Sequence, residues 1–225
     1  MSCSSRLSRA WGAVLLAAQL AVAAAAGETP GSGDASAKRR TPVVEVFENC
    51  KDTVVFVTGP VVKPGTPATE EFFLPSAATP QETNVGSGFI LHPSGYVVAN
   101  AHGVERQIDN VVALSDGKSY PAELVACVHD QDLALMKIEA GRPLKAVRLG
   151  RSGDVMIGET VVVIANPHGL MRTCTTGVVS ALGRTSHLAD VPGVTLQGLI
   201  QSDAGINPGS SGGPWLIPAS DWMRP

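Results

Sequence analysis

Short apolar runs separated by turn residues fill most of this chain. The first, Thr53 to Thr58, is β-branched and fits a strand. Further runs follow: "GSGFIL", "YVVANAH", "NVVALSDGKSYPAELVACV", "DLALMKI", "AVRLG", "ETVVVIANP", "TTGVVSALGR", "TLQGLIQSD" and "SGGPWLI". Each predicts extended backbone, and "HPSG" between the first two predicts a turn. Asp116-Gly117 predicts a hairpin with a tight primed turn, because that pair tolerates positive φ. Ahead of these, "PVVEVFENC" is a short amphipathic stretch. "VVKPGTPATEEFFLPSAATPQETN" has four prolines and no steady period, so it predicts a long surface loop in which Phe72, Phe73 and Leu74 could dock. Many short strands at this spacing predict a barrel or a sandwich.

Composition narrows the class. With 225 residues, 44% hydrophobic and 16% charged, the chain is long and apolar enough to bury a core. Aromatics at 4%, with 24 Gly and 16 Pro, suit strands and tight turns better than long helices, so the expected fold class is all-β. Net charge is −3 and the basic residues are scattered, which argues against a nucleic-acid partner. The start of the chain carries Arg6 and Arg9, an apolar stretch from about Ala10 to Val22, and Ala24-Ala25-Ala26 before Gly27. That order predicts a secretory signal peptide over 1–26, with an uncleaved membrane anchor as the alternative. Residues 27–40 are small, polar and Pro/Gly-containing, and predict a flexible linker. No second apolar run is long enough to span a bilayer, so no stable membrane span is expected after cleavage. Cys50, Cys127 and Cys174 would remain, an odd number at wide spacing. They predict buried thiols, with one optional disulfide whose pairing the spacing leaves open.

Three stretches could carry chemistry: "VVANAHGV", "HDQDLALMKI" and "DAGINPGSSGGP". A serine hydroxyl is a weak nucleophile and needs a base to take its proton. That base in turn needs a carboxylate to fix its tautomer. His102, Asp132 and Ser211 could fill these roles, in an order along the chain that such triads use. Gly209, Gly212 and Gly213 around Ser211 permit unusual φ values, so consecutive N–H groups can converge on one point as an oxyanion hole does. The N–H groups of Gly209 and Ser211 are assigned to it. Asp130 is a rival acid. His92, His129 and His187 read as surface or turn residues, and no pair of histidines or cysteines has metal-ligand spacing, so neither metal nor cofactor is expected.

As a set, "NAHGV", "DQDLALMKI", "LGRSGDVMIGETVVVIANPHGL", "TTGVVSALGR" and "IQSDAGINPGSSGGPWL" resemble the protease domain of the HtrA/Deg family of trypsin-like serine endopeptidases, over roughly Pro42 to Leu216. The resemblance implies a chymotrypsin/trypsin-like double β-barrel. The first barrel would occupy 41–140 and the second 141–225, with the active site in the cleft between them. It also implies Asp132 rather than Asp130 as the acid, since the carboxylate directly precedes the apolar "LALMKI" strand. His168 would border the active site. Gly205, Ile206 and Asn207 would line the pocket for the side chain before the scissile bond. With no carboxylate there, small aliphatic side chains such as Val, Ala or Ile are expected to fit, and Lys or Arg to be disfavoured. Unfolded or damaged envelope polypeptides are the implied substrates, and secretion or a periplasm the implied location. A homotrimer is left open.

The chain departs from the family pattern in two places. Ser210 stands where the family has Asn. Only 14 residues follow Ser211, and "WLIPASDWMRP" abandons the expected hairpin. An incomplete second barrel and no PDZ domain are therefore expected, along with a competing reading as a catalytically silent binding or chaperone-like module, or a gene fragment.

Overall fold

A computed structural model describes residues 36–60, 83–105, 107, 109–187 and 195–218. The expected signal peptide, most of the expected linker and nearly all of the expected proline-rich loop lie outside them. The chain divides into two compact units, Met1–Thr41 and Pro42–Pro225. Of the first, only residues 36–41 are described, a turn closed by the Arg39 N–H on the Ser36 carbonyl at 3.1 Å.

The second unit opens with helix α1, Pro42–Cys50. Proline at its first position needs no helical partner for its nitrogen, and Glu45 lies in the positively polarised first turn. Val46 and Cys50, four apart, face inward. Thr53 stops the helix, since its hydroxyl and its N–H both donate to the Cys50 carbonyl.

Six strands then close a barrel in the order β1-β2-β3-β6-β5-β4. They are β1 (Val54–Pro60), β2 (Thr83–His92), β3 (Tyr96–Ala99), β4 (Asn110–Ala113), β5 (Ser119–Val128) and β6 (Leu133–Ile138). All pairs are antiparallel, with Val57 opposite Gly86 on one side and Val112 on the other. Strand β6 alternates, burying Ala134, Met136 and Ile138 in the barrel with Val55, Val57, Ile90, Val97 and Val112. A four-residue helix, α2 (Ala101–Val104), interrupts the wall after β3.

The remaining strands form a sheet ordered β10-β7-β8-β9: β7 (Thr160–Ala165), β8 (Thr173–His187), β9 (Thr195–Ser202) and β10 (Trp215–Leu216). Together they make the fold a nearly all-β, trypsin-like double barrel. The second half is a curled, four-stranded half-barrel among the described residues. Strand β7 reads as a continuous apolar run because both of its faces are covered. Val162 and Ile164 pack with Val46, Cys50, Val54 and Leu216, while Val161, Val163 and Ala165 pack with Val179 and Ala204. Inside the curl lies a cavity of about 490 Å³ edged by Val46, Val155, Val161, Val179, Ile200 and Leu216.

Four expectations are corrected. The run "AVRLG" is not a strand; Ala146 packs against the barrel core and the Val147 N–H bonds the Ile90 carbonyl, but no ladder register forms. The Asp116-Gly117 hairpin is not a primed turn. Only Gly117 has positive φ, and the Leu114 N–H bonds the Lys118 carbonyl, which makes a three-residue loop. The "YVVANAH" strand ends at Ala99, so His102 stands on a helix. Finally, of the three free thiols among the described residues only Cys50 is buried, Cys127 being partly buried and Cys174 exposed.

Candidate active site

Asp132 ends the 3₁₀ turn His129–Gln131 in a left-handed conformation, φ 52°. Its N–H closes that turn on the His129 carbonyl at 3.0 Å. The reversal feeds the chain into β6 and leaves the carboxylate buried, at 4% exposure. Burial of a carboxylate is costly unless donors surround it, and three do. Asp132 Oδ1 accepts from the His102 backbone N–H at 2.9 Å. Oδ2 accepts from His102 Nδ1 at 2.7 Å and from Asn100 Nδ2 at 2.9 Å. Asn100 Nδ2 also donates to the Asp132 carbonyl, and the Ala101 N–H reaches the same oxygen at 3.2 Å.

Since the acid accepts at Nδ1, that nitrogen carries the hydrogen and Nε2 presents its lone pair. Neither His102 Nε2 nor Ser211 Oγ has a hydrogen-bond partner among the described residues. The acid and base are therefore joined, whereas the base and alcohol are not bonded to each other. Apo sites often tighten only around substrate.

Ser211 is exposed on the loop between β9 and β10. Two side chains anchor the start of that loop to β8: Asp203 Oδ1 accepts the Val178 N–H at 2.7 Å, and Thr175 Oγ1 donates to the Gly205 carbonyl at 2.9 Å. Its far end is pressed onto the first barrel. The Ser87 N–H donates to the Ser211 carbonyl at 2.8 Å. A Cβ on Gly212, at φ +85°, would overlap the Ser87 carbonyl oxygen and lie 3.3 Å from Ala99 Cα. Only glycine allows that approach.

The two amides assigned to the oxyanion hole are oriented by bonds to neighbouring atoms. The Pro208 carbonyl accepts the His168 N–H at 3.0 Å, so across a trans peptide the Gly209 N–H points the other way. The Ser210 carbonyl accepts the Gly213 N–H at 3.0 Å, which turns the Ser211 N–H outward in the same manner. Neither amide has a hydrogen-bond acceptor among the described residues. Buried Ser87 supports this turn: its hydroxyl donates to the Gly209 carbonyl at 2.7 Å and accepts from the Asn166 N–H at 2.8 Å. Asn166 is in turn tied to the Val55 carbonyl. Ser210 is buried, and its N–H donates to the Asn207 carbonyl.

Beside Ser211 lies a cavity of about 270 Å³ walled by Phe89, Val98, Leu133, Ile206 and Trp215, with Asn100 at its edge. Ile206 is one of its lining residues. Gly205 and Asn207 are not among its lining residues; the Gly205 carbonyl accepts from Thr175 Oγ1 and the Asn207 carbonyl from the Ser210 N–H. No carboxylate side chain stands among its described lining residues. Ser87 and Asn100 carry no motif signal of their own. Asn100 is the residue two before His102 in "NAH", and that adjacency is the only clue the sequence offered.

Comparison with known proteins places these features in context. The profile of the trypsin-like peptidase domain matches residues 86–220. The chain is 37% identical over 174 residues to Protease Do-like 1, chloroplastic, of Arabidopsis thaliana, covering 77% of this chain and 38% of that one. A probable periplasmic serine endoprotease, DegP-like, of Chlamydia pneumoniae is 36% identical over 204 residues, covering 84% and 41%. The chain spans about two-fifths of the length of these curated relatives. Among solved structures, the HtrA-type protease AlgW with tripeptide superposes with a TM-score of 0.64 at 30% identity, over 78% of this chain and 50% of that one.

Proposed function

Because the chain belongs to the trypsin-like peptidase family, we propose that it is a serine endopeptidase of HtrA type working through His102, Asp132 and Ser211. The observation that carries this reading is the 2.7 Å bond from His102 Nδ1 to the buried Asp132 carboxylate. It selects the tautomer in which Nε2 can accept a proton, and it stabilises the imidazolium that results.

In the proposed reaction Ser211 Oγ attacks the scissile carbonyl carbon as its proton passes to Nε2. The carbonyl oxygen becomes an oxyanion held by the Gly209 and Ser211 N–H groups. Collapse breaks the C–N bond, and the leaving amine takes the proton from the imidazolium. Water then repeats the sequence on the acyl-enzyme, delivering a proton to Nε2 and returning Ser211 as the alcohol. Each step is proton transfer and acyl transfer, so the reaction as written calls on no cofactor.

The apolar cavity at Ile206 supports a preference for small aliphatic side chains before the scissile bond, because a Lys or Arg placed there would be desolvated without a partner. Unfolded polypeptides expose such side chains and are the proposed substrates. The signal peptide expected over 1–26, together with relatives named as periplasmic, supports an exported location, secreted or periplasmic. No described helix is long and apolar enough to cross a membrane.

A second reading, a silent binding or chaperone-like module, is favoured by one observation: Nε2 and Oγ are not hydrogen-bonded to each other. A fluorophosphonate probe separates the two. Labelling of the intact chain that disappears in Ser211→Ala supports the peptidase. Peptide binding with no label on the folded wild type would overturn it and leave the binding module.

A further inference from the structure

Three donors that are far from forming a motif in the sequence meet at the first barrel, with Glu105 and His129 exposed and Cys127 partly buried against its core. Glu105 follows α2, Cys127 lies near the end of β5, and His129 begins the 3₁₀ turn that leads to Asp132. Their ligand atoms all lie within 4.8 Å of one another. We propose that Glu105, Cys127 and His129 form a binding site for a thiophilic divalent cation of the zinc class, next to the His102–Asp132 pair.

The donor set chooses the ion. A thiolate and an imidazole suit zinc or its borderline neighbours and repel magnesium and calcium, which want oxygen alone. Metal–ligand bonds of about 2.0–2.3 Å in a tetrahedron place donors roughly 3.3–3.8 Å apart. His129 Nδ1 and Glu105 Oε2 are already 3.3 Å apart. The third donor needs only a side-chain adjustment. Both side chains are open to solvent, at 58% and 46% exposure, so an ion can enter without unfolding and a water can take the fourth position.

Burial, and then the Glu105 and Asp132 carboxylates, push the Cys127 thiol above its ordinary value. The cation displaces that proton: the thiol S–H breaks, a sulfur–metal bond forms, and the proton goes to solvent. His129 binds as neutral imidazole through Nδ1. The site has a structural consequence as well. Glu105 is three residues after His102, and the His129 carbonyl accepts the Asp132 N–H. A bound ion therefore ties together the two segments that carry the acid and the base. The bland alternative is a surface ion pair beside an idle thiol.

The test titrates the intact chain with zinc by calorimetry and with cobalt(II) by absorption. The expected result is one ion per chain and a thiolate-to-cobalt charge-transfer band in the near ultraviolet. Cys127→Ser abolishes both. His129→Ala and Glu105→Gln each weaken binding roughly tenfold or more, whereas Cys174→Ser and His102→Ala leave it unchanged. Zinc also raises the unfolding midpoint of the wild type and not that of Cys127→Ser, with circular dichroism confirming that each variant is folded. No stoichiometric uptake overturns the proposal. So does uptake that survives in folded Cys127→Ser or is undiminished in folded His129→Ala, and so does uptake lost in His102→Ala, which would place the ion on the triad.

Discussion

Asp132 combines two features that are each unfavourable alone: a buried charge and a left-handed backbone at φ 52°. The first is offset by three donors, and the second is tolerated because Asp enters that region more readily than bulkier residues. Asp132→Asn keeps the shape but turns an acceptor pair into one acceptor and one donor. It thereby competes for the tautomer of His102. Steady-state kinetics should show kcat falling about 10⁴-fold at neutral pH, with KM little changed. Asn100→Ala removes one donor of the three and leaves the bond to His102. A hydrogen bond to a charged group is worth about 1.5–3 kcal/mol, so kcat should fall by roughly 10- to 150-fold. A fall as deep as that of Asp132→Asn would mean that Asn100 does more than hold the acid. The names of His102 and Asp132 came from motif and resemblance. Asn100 was not legible as a partner, because a side-chain amide before a histidine has many other uses.

The loop that carries Ser211 is shaped by elements remote from it in the chain. Ser87 on β2 bonds both Asn166, after β7, and the Gly209 carbonyl. Ser87→Ala leaves the buried Asn166 N–H and the partly buried Gly209 carbonyl unpaired, and its cost should be about 1–3 kcal/mol in urea unfolding. Its signature beyond stability is a lower kcat with an unchanged KM, since in its proposed oxyanion role the Gly209 amide meets charge only in the transition state. A KM effect alone would remove Ser87 from the positioning role. Helix α1 carries a different test. Burial raises the Cys50 thiol above its ordinary value of 9.0, and Lys145 opposes this less strongly. The folded state thus holds a proton that the unfolded chain gives up. This contribution to stability is complete below the ordinary thiol value and is lost as pH climbs through the higher folded one. Urea midpoints measured from about pH 8 to pH 10 should fall more steeply for wild type than for Cys50→Ala. Parallel slopes would contradict the assignment.

For the molecule as a whole, β7 is the strand on which both cores depend, because each of its faces packs into a different cluster. Ile164→Ala, at a fully buried site between α1, β1 and β10, should cost about 2–5 kcal/mol in global unfolding. Leu182→Ala, on the exposed face of β8, should stay within about 0.5 kcal/mol. Equal costs would mean that the second sheet is not packed as described. These strands were visible in advance because burial imposes a period of two, or a continuous apolar run, on any sequence that forms them. "LALMKI" and "TVVVIA" show the two cases. The failure at "AVRLG" has the same root, since an apolar run records burial and not ladder partners. The glycines at 209 and 212 and the triad types were likewise local matters of φ and acid–base chemistry, written residue by residue. The sequence by itself thus determined the strand content, the glycine-rich loop around Ser211 and the residue types able to do the proposed chemistry. Only the tertiary structure decided the Ser87 bridge, the third donor to Asp132, a cavity lining without Gly205 and Asn207, and the meeting of Glu105 with Cys127 and His129. Those depend on directions between segments distant along the chain, which barrel closure sets and no local pattern encodes.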